Sequence, residues 1–371
     1  MKKVLASILL VALLLGSTVS AAQASEDTLD IEKAAIETIE NSQILKTNNL
    51  RIEQMEKNYS DVKGQLNQMR WLLPYMPNPF EMVKNYVLTP KMYEDYLTQF
   101  YGGQAVLTNA VRLSAYSSYI ELLKGDYEVN AQSDLMNSLY EDYKKTRIQE
   151  EKGMITESEL RLAEIAFEQT RYLYLSAQNS RDSALMALNN MMGGDISRKY
   201  SVLQDYNVTP AAQIRTLEEY TNQALANRAE IISAQSALDL LKEQYLYGLA
   251  EIPNDYEFYK QQQEYEIANA QNTLDLAHIN VSQNIAELYA GLESTMKAME
   301  AMQYLAEQAE KNVQTAQIRY DQSEITFTEL NDAKIAKVQA DINLKKAELD
   351  AWLMQTTMNL ACDAGVQPSG Y

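Results

Sequence analysis

Apolar residues return every three or four positions along most of this chain. The clearest stretch is Ile285, Leu288, Leu292, Thr295, Met299, Met302, Ala306, Ala309, Val313 and Ala316. Steps of three and four are the a/d register of a coiled-coil seam. Large residues give way to alanines along it, so partner helices approach more closely toward that end. The spacing predicts one helix over about 256–321, the longest in the chain. At 1.5 Å per residue it is roughly 100 Å long. A rod of that length does not belong to a compact globule. Its seam needs cover from other helices of the chain, with copies of the chain supplying the rest.

The remaining pattern is also helical. Thr28 is placed as an N-cap before an amphipathic stretch with Ile31, Ala34, Ala35 and Ile39, and with Glu32 and Glu37 early in it. Asn41-Ser42 interrupts it briefly, and a second stretch runs from Ile44 to Leu73, where Pro74, Pro77 and Pro79 end it. Residues 71–103 are aromatic and Pro-broken and lack the period of two expected of strands. One or two short helices are predicted over Met82 to Phe100, closed by Tyr101-Gly102-Gly103. A long helix follows from Gln104 to about Glu151, with a mate from Thr156 to about Met192 that ends at Gly193-Gly194. After a linker containing Pro210, a helix opening at Thr216 runs to about Ala250, with Ile252-Pro-Asn-Asp255 as a tight break. The helix over 256–321 and a return through Ile335, Val338 and Ile342 to about Leu360 complete the chain, leaving 363–371 as a loose tail.

The chain says the same thing twice. Residues 152–163 overlay 322–333 without a gap, matching Ile155/Ile325, Thr156/Thr326, Glu159/Glu329, Leu160/Leu330 and Ala163/Ala333. Gly153 marks the first turn, and Thr156-x-x-Glu159 and Thr326-x-x-Glu329 read as capping boxes for the returning helices. Each copy is therefore the tip of a long helical hairpin. Thr28-Leu29 and Asn41-Ser42 are echoed by Thr216-Leu217 and Asn227-Arg228. The fold class is all-α, with two hairpin repeats over 25–194 and 215–362 joined by a linker at 195–214.

Composition narrows the chemistry. The formal net charge is −19, and removing Lys2 and Lys3 with the leader makes it −21. Nucleic acid is excluded as a partner, because phosphate binding needs a basic face. The charge serves either solubility or a cation-attracting lumen. Cys362 and His278 are the only residues of their kinds, so there is no disulfide framework and no zinc or Cys–His set. No cofactor and no enzymatic activity are expected. Residues 1–24 read as a secretory signal peptide, with Lys2 and Lys3, the apolar run Val4 to Leu15 and the Ala22-Gln23-Ala24 cleavage site.

In order and spacing, the two helix openers, the two Asn-led breaks, Tyr101-Gly-Gly-Gln104 and the two tips resemble the TolC-like outer-membrane efflux protein family. The resemblance covers nearly the whole mature chain. It implies a homotrimer whose twelve long helices form a hollow α-barrel in the cell envelope. The tube works with a membrane-fusion adaptor and an ABC-type or other export pump. The tips, Gly153, Met154, Ile155 and Thr156 with Ser323, Glu324, Ile325 and Thr326, would meet the adaptor. Glu159 aligns with an acid that latches the closed entrance, and Tyr320 with its tyrosine partner. Glu329 and Asp332 align with acids that ring the constriction. The family's latch arginine falls at Ile325, and its second-tip Gly at Ser323. The family's strand insertions have no counterpart, because 248–255 is too short for two spanning strands and 71–103 does not alternate. No transmembrane β-barrel is expected, and 71–103 is left either to cap the barrel end or to meet a membrane or partner. The alternative function is a structural or adhesive extracytoplasmic coiled coil that keeps the scaffold without transport.

Overall fold

The computed structural model describes residues 28–76, 79–249 and 256–366; the expected signal peptide and the whole Ile252–Asp255 break lie outside them. Among the described residues there are eight helices and one pair of two-residue strands. Strand β1 (Thr28–Leu29) leads into α1 (Ile31–Asn41) and α2 (Gln43–Met69), then a 3₁₀ turn (Arg70–Tyr75). The first long hairpin is α3 (Pro79–Glu151) with α4 (Glu157–Met191). Strand β2 (Val202–Leu203) pairs in parallel with β1. Helices α5 (Leu217–Asn227) and α6 (Ala229–Leu249) precede the second hairpin, α7 (Tyr256–Asp321) with α8 (Phe327–Ala361). No described helix is long and apolar enough to cross a membrane.

The two repeats start and end alike. Asn41 closes α1, and its Nδ2 donates to the carbonyl of Met192, the C-cap of α4, at 2.7 Å. Asn227 closes α5, and its Nδ2 reaches the carbonyl of Cys362, the C-cap of α8, at 3.5 Å. Each short helix thus caps the end of its own return helix, satisfying a carbonyl that helix geometry leaves open. Gly193 follows at φ +72°, and a Cβ there would lie 2.9 Å from Asn41 Cβ. Glycine is required at that junction on both counts.

Several expectations need correction. Thr28 lies in β1, and the N-cap of α1 is Asp30, whose Oδ1 accepts from the Lys33 N–H at 2.8 Å. The short helices expected over 82–100 and the boundary at 101–103 are not there. One helix of 73 residues runs through Pro90, Gly102 and Gly103, so α3, not the 66-residue α7, is the longest. Gly102 faces α6, where a Cβ would lie 3.2 Å from Ala229 Cβ. Close helix crossing there outweighs the roughly 1 kcal/mol that each glycine costs a helix. The heptad seam of 285–316 is covered within the chain: Ile285, Leu292, Ala306 and Ala316 are buried, the other seam positions are half-buried, and α8 lies against this helix. Copies of the chain are not needed for that seam. The start of the expected loose tail is tied down, since Ala364 O accepts from Ala229 N–H at 3.1 Å and Gly365 O from Asn109 Nδ2 at 3.2 Å. Cys362, just before that tail, is fully buried.

The first core packs β1, α1, α3 and α4 around Tyr119, and the second packs α5, α6, α7 and α8 around Ile285 and Leu292. Phenols are embedded in this framework. Tyr116 donates to Glu32 Oε1 at 2.8 Å and Tyr59 to Glu94 Oε1 at 2.8 Å, while Tyr101 donates to Glu56. Burial first, and the carboxylates second, raise Tyr59 and Tyr101 to about 12 and Tyr116 higher still. The unfolded chain ionises these phenols near pH 10. Their contribution is therefore present below about pH 10 and lost as pH rises toward the folded values. Thermal unfolding followed by circular dichroism should show a midpoint that falls above about pH 10, and less steeply in Tyr116→Phe.

Candidate functional site at the paired hairpin tips

Both tips are built by the same hydrogen bonds. At the end of α3, Gly153 N–H donates to Glu150 O at 2.7 Å and Met154 N–H to Gln149 O at 2.9 Å. At the end of α7, Ser323 N–H donates to Tyr320 O at 2.9 Å and Glu324 N–H to Arg319 O at 2.8 Å. This is the Schellman closure, which places one residue in the left-handed region. That residue is Gly153 at φ +68° in one tip and Ser323 at φ +59° in the other. The serine carries a Cβ that disfavours this conformation. Ser323→Gly should therefore raise stability by about 0.5–1 kcal/mol. A Cβ at Gly153 meets nothing within 4 Å, so Gly153→Ala should cost only the backbone strain, about 1–2 kcal/mol. Urea unfolding of the two variants checks both signs.

The return helices begin on matching boxes. Glu159 Oε2 accepts from Thr156 N–H at 2.8 Å and from its hydroxyl at 3.0 Å, and Glu159 N–H donates back to Thr156 Oγ1 at 3.3 Å. Glu329 does the same with Thr326 at 2.8, 2.9 and 3.3 Å. The Thr backbone N–H, and then the hydroxyl, hold both exposed carboxyls below their ordinary range. A third box, Thr216 with Glu219, has the same distances at the start of α5. The box is thus a recurring helix starter in this chain and not peculiar to the tips. Asp332 lies one turn further along α8 and is exposed.

Beyond this shared frame the tips differ. In the second, Ile325 and Tyr320 pack on Ala316, Leu330 and Ala333, and the Tyr320 and Phe327 rings meet at 6.3 Å. The first is more charged, with Glu157 paired to Arg161 and Met154 largely exposed. Tyr320 is raised by burial and then by the charges of Asp142, Asp321 and Glu159. Asp142 of the first hairpin pairs with Lys334 of the second at 2.7 Å, so the tip ends of the two hairpins lie side by side within one chain. Glu159 is engaged with Thr156 rather than bonded to Tyr320.

Residues that periodicity does not single out align the hairpins. Across the α3–α8 contact, Lys124 pairs with Asp350 at 2.6 Å, Lys346 with Glu128 at 2.7 Å and Lys334 with Asp142 at 2.7 Å. Between the last two, Leu135 and Leu139 pack with Ile335, Val338 and Ala166. The four long helices therefore lie in the order α4, α3, α8, α7. The outer two carry apolar residues that this chain leaves in water. On α4 these include Ile165, Tyr172 and Met186, and on α7 Leu276, Tyr304 and Ile318. Their spacings are multiples of seven, as in a coiled-coil seam without its partner.

No protein-family model matches the chain, and no curated protein matches it by sequence. Solved structures do match. A structure of CusC, described for conformational changes accompanying folding and transmembrane channel formation, is 14% identical, covers 93% of this chain and 96% of its own, and has a TM-score of 0.63. The outer membrane protein VceC of Vibrio cholerae is 12% identical, with 90% and 96% covered and a TM-score of 0.64. This is the TolC-like fold. The open state of the Neisseria gonorrhoeae MtrE outer membrane channel is a further match, 13% identical, with 92% and 91% covered and a TM-score of 0.60. Identities this low establish the TolC-like architecture alone. What this chain does with it rests on its own surfaces.

Proposed function

We propose that three copies of this chain assemble, α4 of one against α7 of the next, into a hollow helical conduit of a cell-envelope export system. The two tips form the entrance, where an adaptor protein and an export pump engage it. The observation that carries this reading is the pair of unpartnered apolar stripes on the two outer helices of one layer. Because the stripes lie on different helices, each contact is head-to-tail, a geometry that forms a ring when its rotation closes. The count of three follows the TolC-like resemblance. The chain is read as non-enzymatic, and as exported to the envelope.

In the ring, Glu329 and Asp332 supply carboxylates to the entrance, where confinement weakens screening. Glu329→Gln preserves a capping-box side chain, since Gln serves at that position as Glu does. Asp332→Asn removes the second charge from an exposed site. The double variant should keep its helix content and lose cation preference in a liposome flux assay, by about tenfold for a local potential of roughly 1.4 kcal/mol. Unchanged ion preference would show two ordinary solvated acids and favour the structural or adhesive coiled coil without transport.

A further inference from the structure

The end of the molecule opposite the tips carries a surface that conduction does not use. Helix α3 is about 110 Å long at 1.5 Å per residue, with the entrance tip at its C-terminal end. At its other end α2, the 3₁₀ turn and the start of α3 form a shorter hairpin. Its sides are registered by Tyr59 with Glu94 and by Tyr86 with Asn67, whose Oδ1 accepts from the phenol at 2.8 Å. The turn is apolar and aromatic yet open to water: Met69 is 41% exposed, Trp71 67%, Tyr75 81% and Val83 40%. It projects beyond the described part of the neighbouring helix α6. From the Lys91–Glu243 pair, α3 continues back to Pro79, whereas α6 runs only to Leu249.

Charge separates this turn from the rest of the chain. Between Asp61 and Glu94 stand Lys63, Arg70, Lys84 and Lys91 against the single acid Glu81. Lys91 is paired with Glu243, which leaves Lys63, Arg70 and Lys84 against Glu81, a local reversal in a chain of −19. The neighbouring hairpin keeps the acidic character, with Glu243, Glu257, Glu264 and Glu266, and its described helices are set back from the turn. Tryptophan and tyrosine beside basic residues, on a segment with no spanning helix, is the composition that settles at a lipid headgroup layer. Basic residues near such a layer are attracted by anionic lipids.

We propose that the Met69–Tyr75 turn, with Val83, is a membrane-surface anchor that seats the wide end of the protein on an anionic lipid interface. The apolar rings enter the headgroup region while Lys63, Arg70 and Lys84 face the phosphates. A ring of copies would present several such turns together, and multivalency would raise their combined hold. The anchor stands whether or not the tube conducts.

The test uses the full mature chain with vesicles of phosphatidylcholine alone and vesicles containing phosphatidylglycerol. Trp352→Phe leaves Trp71 as the single tryptophan reporter. Co-sedimentation should favour the phosphatidylglycerol vesicles by about tenfold or more, since each basic residue near an anionic surface adds about 1 kcal/mol. Trp71 emission should shift to the blue on binding. Trp71→Ser with Tyr75→Ser should abolish sedimentation at unchanged helix content. Arg70→Gln with Lys63→Gln should remove the preference for phosphatidylglycerol. Equal binding by the Trp71→Ser/Tyr75→Ser variant overturns the proposal, as does absence of binding to either vesicle. Loss of oligomers in that variant, with wild type ignoring vesicles, would assign the turn to a second copy of this chain and also overturn it.

Discussion

Tyr119→Ala is expected to destabilise the protein by about 3–5 kcal/mol, the usual cost of removing a fully buried aromatic side chain. Tyr119 is wholly inaccessible at the centre of the first core. Its hydroxyl lies 2.8 Å from Leu29 O and 2.9 Å from Gln204 O. Leu29 O also accepts from Gln204 N–H at 2.9 Å. One phenol therefore joins the chain's entry strand to the strand of the inter-repeat linker. Tyr119→Phe keeps the ring and isolates the hydroxyl, with an expected cost of about 1–3 kcal/mol for buried carbonyls left short of a donor. Urea denaturation measures both values. Hydrogen exchange at the Gln204 amide should accelerate in both variants, ahead of global unfolding. A Tyr119→Ala cost no larger than that of a surface substitution would show that the β1–β2 junction does not depend on this core.

What the sequence made legible was local. The Thr156–Glu159 and Thr326–Glu329 boxes and the residue at Gly153 carry their chemistry within a few positions, and both tips fall where those signals place them. The breaks at Asn41 and Asn227 were also visible, although their purpose was not. Each asparagine caps a helix end more than a hundred residues away, and such a partner leaves no periodic trace. The same holds for the three Lys–carboxylate pairs across α3 and α8. The error over 79–103 had the opposite cause. Pro90 and Gly102-Gly103 are strong local breakers, yet the packing of α2 and α6 along that stretch holds one continuous helix. Strands β1 and β2 are two residues each, too short to show alternation.

The proposed assembly does not rest on the seam at 285–316. That seam is spent inside the second hairpin, so substitutions there would unfold a monomer rather than part an assembly. The outward stripes separate the two effects. Tyr172 on α4 and Tyr304 on α7 are 71% and 61% exposed in the single chain. A charge at either position should leave the monomer's fold and melting temperature nearly unchanged, because surface substitutions usually stay within about 0.5 kcal/mol. In the proposed ring the same residues would be buried, each contributing about 1.5–3 kcal/mol of apolar burial. Tyr172→Glu or Tyr304→Glu should therefore weaken each contact by at least about tenfold to 100-fold. Repeated around a closed ring, that is enough to convert the assembly to monomers at micromolar concentration. Sedimentation velocity reads the change directly, with circular dichroism as the control for folding. Tyr172→Cys with Tyr304→Cys, oxidised, tests their pairing across copies, and a covalent ladder ending at three would fix both the interface and the count. Persistence of the wild-type assembly in both glutamate variants would remove the stripes from the interface, and the proposed conduit with them.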